Sequence, residues 1–202
     1  MPAVDDLFKR SGLRAGDLDG VVADVGPGLF TGLRVGLATA KAIVMAGGLL
    51  AAGVTSLEVL AHAQRRRAGL VASMVDARRG EVFWALYRSD GSQLQQLSAA
   101  AASEPGEAAV ELASLAEVRG EAPILAVGDG AWRYRSVLEA QGPIQVGSAA
   151  DLWASPLVLA ELGAPRLVKH DAANDGGPFV PMYLRQADVR IGWEEVGGRV
   201  GQ

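Results

Sequence analysis

The sequence has no cysteine, which excludes disulfides, thiolate metal sites and a cysteine nucleophile. It has two histidines, His62 and His170, so a multi-histidine metal centre is ruled out. A Ser-His-Asp triad would have only those two candidate bases. Aromatic residues are scarce, at 5% of 202 positions. Half of the chain is hydrophobic all the same, so the apolar mass is mostly Ala, Val and Leu, interleaved with 26 Gly. That composition, with 21% charged residues, belongs to a folded globule and excludes wholesale disorder. Positive charge is not in excess either. A formal charge of −4 argues against holding nucleic acid through a basic surface of the chain's own. The start, Met1-Pro-Ala-Val-Asp-Asp, has neither the basic residues nor the apolar run of a secretory signal. One stretch, 35–54, approaches the ~20 apolar residues of a membrane span. It contains Gly36, Gly47, Gly48, Gly53 and Lys41, and the glycine pair divides it into a helix and a strand. A soluble, cytoplasmic chain with no membrane partner is the expectation.

Along the chain, apolar spacing predicts a helix over 4–11 and a buried strand over 20–25. Gly26-Pro27-Gly28 stops that strand. Thr31 is a suitable N-cap for a helix reaching about residue 46. A strand over 49–54 and a helix over 57–67, capped by Thr55 or Ser56, complete a strand-helix-strand-helix order typical of an α/β layer. The segment 70–88 reads as a β-hairpin turning at Asp76-Ala-Arg-Arg-Gly80, with both faces partly covered. Residues 94–97 are placed to add a strand. Then follow a helix over 107–119, a strand over 124–127, a helix over 131–140, a strand over 143–146 and a helix over 155–162. A loop is expected over 169–178 and extended chain over 180–191. The composition of 89–103 suggests a crossover, dividing the chain into an N-terminal subdomain, 1–95, and a C-terminal one, 96–202.

The most informative run is Val25-Gly-Pro-Gly-Leu-Phe-Thr-Gly-Leu-Arg-Val-Gly36, a strand, a glycine turn and a helix start. Glycine loops at helix N-termini attract phosphate, because bare N–H groups and the helix dipole face the ligand. The run has no Gly-Lys-Ser/Thr of a Walker loop, and it is not a dinucleotide fingerprint. A tight turn where backbones approach closely is the alternative. The helix beyond it has one face, Leu33, Leu37, Ala40 and Val44, suited to packing on a sheet. A second face, Gly32, Gly36, Thr39 and Ile43, is apolar and small, and only a narrow stripe with Arg34, Ala38, Lys41 and Met45 is left. Such a helix is either deeply buried or shared with a partner.

At this run the chain resembles the TsaB (YeaZ) family, whose members carry Gly-Pro-Gly-Ser-Phe-Thr-Gly-Leu-Arg-Ile-Gly where this chain has 26–36. Further similar motifs follow in order: Leu37-Ala-Thr-Ala-Lys41, Gly53-Val-Thr-Ser-Leu-Glu58, Asp76-Ala-Arg-Arg-Gly-Glu-Val-Phe83 and Pro181-Met-Tyr-Leu-Arg185. The resemblance implies an α/β fold of the actin-like, RNase H-like class with two subdomains. It implies a non-catalytic subunit of the machinery that places threonylcarbamoyl on adenosine 37 of tRNAs reading codons that begin with A. The partner would be a TsaD-type transferase, with a TsaE-type ATPase in the larger complex, tRNA contacted indirectly, and a homodimer as an alternative pairing. No cofactor would be bound by this chain alone, and ATP would sit at the partner interface. The matching partner segments are the helix 31–46 and the helix after Ser56. The interface residues implied are Thr31, Gly32, Arg34, Val35, Gly36, Thr39, Ala40 and Ile43. Family members open with additional strands before the point matching Met1. The resemblance therefore implies a longer full protein and, here, an unpaired edge on the strand 20–25.

Two rival functions are weighed against that reading. An actin-like small-molecule kinase or ATPase would need two phosphate loops and a carboxylate for Mg²⁺. A glycoprotease-type metallopeptidase would need a His-x-x-x-His pair that the two separated histidines do not supply. Several residues remain open between roles. Arg34 is placed for a partner carboxylate or phosphate, or for simple solvation. Arg78 and Arg79 are placed to touch tRNA, or form an ordinary exposed turn. Asp76 is expected to brace that turn and Asp129 to be structural, while His62, on the helix 57–67, reads as an ordinary surface or interface histidine and His170 lies in a loop with no evident partner.

Overall fold

A computed structural model describes residues 2–169 and 177–185. Helix α1 (Pro2–Ser11) comes first and has no buried residue. Strand β1 (Gly20–Asp24), helix α2 (Phe30–Gly47) and strand β2 (Leu50–Val54) then form a parallel strand-helix-strand unit. Helix α2 begins one residue before Thr31, with Leu29 in the N-cap position and no side-chain cap, so Thr31 is not the cap. It ends where expected, at Gly48, whose left-handed backbone (φ 62°) lets its N–H donate to the Val44 carbonyl. Helix α3 (Ser56–Ala63) is capped by Thr55, whose hydroxyl accepts from the Glu58 N–H.

The predicted hairpin is present as β3 (Gly69–Arg78) and β4 (Glu81–Ser89). Short strands β5 (Leu94–Gln96) and β6 (Ala101–Ser103) both pair with β4. Helix α4 (Pro105–Arg119), strand β7 (Ile124–Val127), helices α5 (Asp129–Arg133) and α6 (Arg135–Glu139), and strand β8 (Ile144–Val146) complete this half. The single helix expected over 131–140 is thus two short ones, broken at Tyr134. Helix α7 (Pro156–Gly163) leads back to strand β9 (Val168–Lys169), which pairs antiparallel with β2 and ends on the first residue of the expected loop. Residues 180–185 form no strand, and the rest of the extended stretch, like His170, lies outside the described residues.

Two sheets result, in the orders β1-β2-β9 and β5-β4-β3-β7-β8. The larger sheet takes strands from both sides of residue 95, so the expected division at 95/96 falls inside a layer. Alternation along β3 explains why. Leu70, Ala72 and Met74 meet Ala108, Ala109, Leu112 and Ala116 of α4 on one face, while Val71 meets Leu57, Leu60 and Ala61 of α3 on the other. With both faces covered, β3 packs on helices from both sides of that division. A third cluster joins Leu37, Ala40 and Val44 of α2 to Val25, Ala51 and Phe179. No helix among the described residues is long and apolar enough to cross a membrane.

Candidate functional site

Helix α2 buries three of its eighteen residues, Leu37, Ala40 and Val44. Those are the positions whose spacing points at the sheet. The rest of the helix is largely open. Thr31, Gly32, Arg34, Val35 and Gly36 are exposed, and Thr39 and Ile43 are half-buried. Ala40 is the exception among the expected interface residues, because it lies on the core side with Leu37 and Val44. Helix α3, the other expected partner segment, turns Leu57, Val59, Leu60 and Ala61 inward and offers no comparable open face. Its His62 lies 3.9 Å from Glu161, and burial, then Arg65, hold the imidazole below its usual range.

Arg34 is not a freely solvated side chain. Its guanidinium lies 3.8 Å over the Phe30 ring, and its Nε donates to the Tyr183 hydroxyl at 3.1 Å. The two rings stand 5.4 Å apart. Tyr183 reaches this place because 178–183 docks across the end of the smaller sheet. The Met182 N–H donates to the Val25 carbonyl, and Phe179 is buried in the α2 core. The Pro178 carbonyl fits over Gly53, where any Cβ would overlap it. The glycine-rich run and the C-terminal Pro-Met-Tyr-Leu-Arg run are therefore one site. Phe30 and Tyr183 lay inside motifs already singled out, but only their opposition across the fold reveals that they bracket Arg34.

Behind α2 lies a cleft of about 710 Å³ between the two sheets. Gly32, Gly36, Thr39 and Ile43 line one wall, and Asp76, Arg78, Asp129 and Trp153 line the other. Asp24 sits on its floor. Its carboxylate accepts from the Gly26 N–H (2.8 Å) and from the Ser56 hydroxyl (2.7 and 2.8 Å). Burial outweighs these bonds and raises the Asp24 pKa above the usual aspartate value. The folded state thus binds this proton more tightly than the unfolded chain, and stability falls as pH rises from about 4 through the raised pKa. Asp24→Asn removes that dependence. Its melting temperature is expected to exceed that of the parent at pH 7.5 and to match it near pH 4. Equal differences at both pH values in thermal melts would contradict this.

Asp76 is the brace that the sequence suggests. Its Oδ1 accepts from the Arg78 N–H (2.9 Å), and its Oδ2 pairs with the guanidinia of Arg78 (3.1 Å) and Arg133 (3.5 Å). Its own N–H donates to Oδ1 of Asp129 at 3.0 Å, which ties α5 to β3 and gives Asp129 a structural place. Nothing in the sequence linked Arg133 to this group, since it arrives from a separate element.

A family model described as TsaD, tRNA N6-adenosine threonylcarbamoyltransferase, matches residues 1–193. The tRNA threonylcarbamoyladenosine biosynthesis protein TsaB of Bacillus subtilis (strain 168) is 32% identical over 199 residues, covering 96% of this chain and 82% of that protein. The protein of the same name from Escherichia coli (strain K12) is 26% identical over 205 residues, covering 98% and 83%. Among solved structures, YeaZ from Pseudomonas aeruginosa superposes with a TM-score of 0.68 at 26% identity, over 91% of this chain and 81% of that one. The architecture is the actin-like, RNase H-like one. With motif order, fold and relatives in agreement, the chain belongs to the TsaB (YeaZ) family.

Proposed function

We propose that this chain is an accessory subunit in the biosynthesis of threonylcarbamoyladenosine on tRNA, and that it works by pairing with a TsaD-type transferase. The observation that carries the reading is the α2 face. Gly32 and Gly36 are exposed, and Cβ atoms added there would meet nothing within 4 Å. A second helix can approach such a face closely, because no side chain keeps it away. Beside that face stand exposed Phe30 (42%), Val35 (63%) and the pinned Arg34. Aromatic and arginine anchors held in place are the usual carriers of binding energy at interfaces.

The partner performs the transfer in this reading, and the present chain touches no reacting atom. It binds no nucleotide by itself, and ATP belongs at the interface with the partner. The tRNAs served are those reading codons that begin with A, the complex acts in the cytoplasm, and a TsaE-type ATPase completes it. The chain pairs with itself through the same face when the transferase is absent.

The test is reconstitution. The chain is mixed with the TsaD-type protein of its own organism, run by size exclusion, and assayed for modified tRNA together with the other subunits. A shared peak and modification that depends on this chain are expected. Separate peaks together with chain-independent modification would refute the proposal.

A further inference from the structure

We propose that one border of the open α2 face selects an acidic partner surface, with the Arg34 guanidinium and the Lys41 ammonium meeting carboxylates on a helix of the TsaD-type protein. The inference rests on the pairing reading above and adds to it the chemistry by which this face favours that partner over a second copy of the chain.

The arrangement of charge carries the argument. Helix α2 contains no aspartate or glutamate, and its charged residues are Arg34 and Lys41 alone. They stand two helical turns apart, so both project from the same side of the helix. Gly32 and Gly36 form the opposite border of the open face, with Val35 between. Neither cation lines the cleft, so the carboxylates of Asp24, Asp76 and Asp129 belong to another side of α2. Arg34 is exposed and Lys41 half-buried, and neither has an ion-pair partner among the described residues. A border with charge of one sign and no internal counter-charge is matched by the opposite sign on the surface that covers it.

The setting of Arg34 is a second, independent observation. Stacking on Phe30 and donation from Nε to the Tyr183 hydroxyl fix the guanidinium in one orientation. Its Nη groups have no hydrogen-bond partner among the described residues. A fork held in advance loses little freedom when it meets a carboxylate with two parallel bonds. The surroundings favour protein over nucleic acid. Ala38, Ala42 and Met45 (64%) are exposed beside the two cations. RNA brings one phosphate per contacting cation and would leave that apolar surface uncovered. A helix with acidic residues two turns apart covers it and pairs both charges. A second copy pairing through the same face offers no carboxylate from α2. Two-fold symmetry then sets cation against cation, whether the helices run parallel or antiparallel. Like charges so placed weaken self-pairing and leave the heterodimer favoured.

The test titrates the chain with the TsaD-type protein of its own organism by calorimetry, at about 50 and 500 mM KCl, between which the screening length falls roughly threefold. Self-pairing of the chain alone is followed at the same salts by sedimentation equilibrium. Added salt should weaken the heterodimer about fivefold and tighten self-pairing, because attraction is screened in one and repulsion in the other. At the lower salt, Lys41→Glu and Arg34→Gln should each weaken partner binding about tenfold, with a smaller salt dependence than the parent. Lys41→Gln should weaken partner binding about threefold while self-pairing tightens, a split that a merely damaged fold does not produce. Thermal melts of the isolated chain accompany every variant. Partner affinity within about twofold of the parent in either Lys41→Glu or Arg34→Gln would overturn the inference. Failure of Gly36→Arg to pair in the same series would leave the α2 reading standing. Unchanged pairing with weakened tRNA binding by the assembled complex would also overturn it, and would assign the cations to phosphate. Parent self-pairing as tight as the heterodimer at the lower salt would overturn the selection against a second copy. A parent chain that does not bind the TsaD-type protein would end both readings.

Discussion

Gly36→Arg is expected to leave a folded chain that no longer pairs with its TsaD-type partner. Gly36 is exposed on α2, and a Cβ built there meets nothing within 4 Å, so the isolated fold has room for a side chain. Helix propensity even favours replacement, since Gly costs about 1 kcal/mol relative to Ala in a helix interior. The conflict arises only when a second helix lies against Gly32 and Gly36. A long cationic side chain then separates the two backbones and strips the contact of its packing. Loss of a central contact of this kind costs on the order of 2–4 kcal/mol, which is at least about thirtyfold in affinity. Gly36→Ala is the informative companion. It should raise the melting temperature of the isolated chain slightly and weaken partner binding by a smaller factor. Titration calorimetry with the partner and thermal melts of the chain alone read the two effects separately. If Gly36→Arg binds as tightly as the parent, the α2 face is not the interface.

The same helix shows what the sequence could and could not convey. The core stripe Leu37, Ala40 and Val44 is readable because periodicity of 3.6 is a local signal. The hairpin 69–89 is readable because apolar alternation and a glycine-ended turn are local too. The bracketing of Arg34 depends on a residue 149 positions away, and the pairing of Arg133 with Asp76 depends on how α5 meets β3. Neither leaves a periodic trace. The packing of α3 is hidden for the same reason. Its amphipathic face is legible, but whether that face meets a partner or the larger sheet is decided by Val71, Ala85 and Leu125, which are far from it in sequence. The division at 95/96 failed where polar composition stood in for topology. The Ser- and Gln-rich stretch after Ser89 contains β5 and β6, two short strands whose pairing to β4 is set by the partner strand and hardly by their own residues.

Gly128→Ala should be the most damaging single methyl in the molecule's larger half. Gly128 precedes α5 with φ 104° and ψ 167°, a combination essentially reserved for glycine. An added Cβ would overlap the Met74 carbonyl oxygen, a backbone atom in the middle of β3. Neither partner can step aside cheaply, because Met74 is fully buried and Ser73, one residue before it, is paired in register with Val127 of β7. Strained backbone and steric overlap together are expected to cost about 3 kcal/mol or more. For a chain of this size that lowers the melting temperature by roughly 6–12 °C. Gly120→Ala provides the contrast. Gly120 is also left-handed (φ 63°), but its Cβ would meet nothing within 4 Å, so only the backbone term of about 1 kcal/mol applies. A Gly128→Ala loss no greater than that of Gly120→Ala would mean that α5 can ride outward from β3 at little cost. The distinction reaches the Asp76 group, because α5 carries both Asp129, which accepts from the Asp76 N–H, and Arg133, which pairs with the Asp76 carboxylate. A displaced α5 would release Arg133 from its brace.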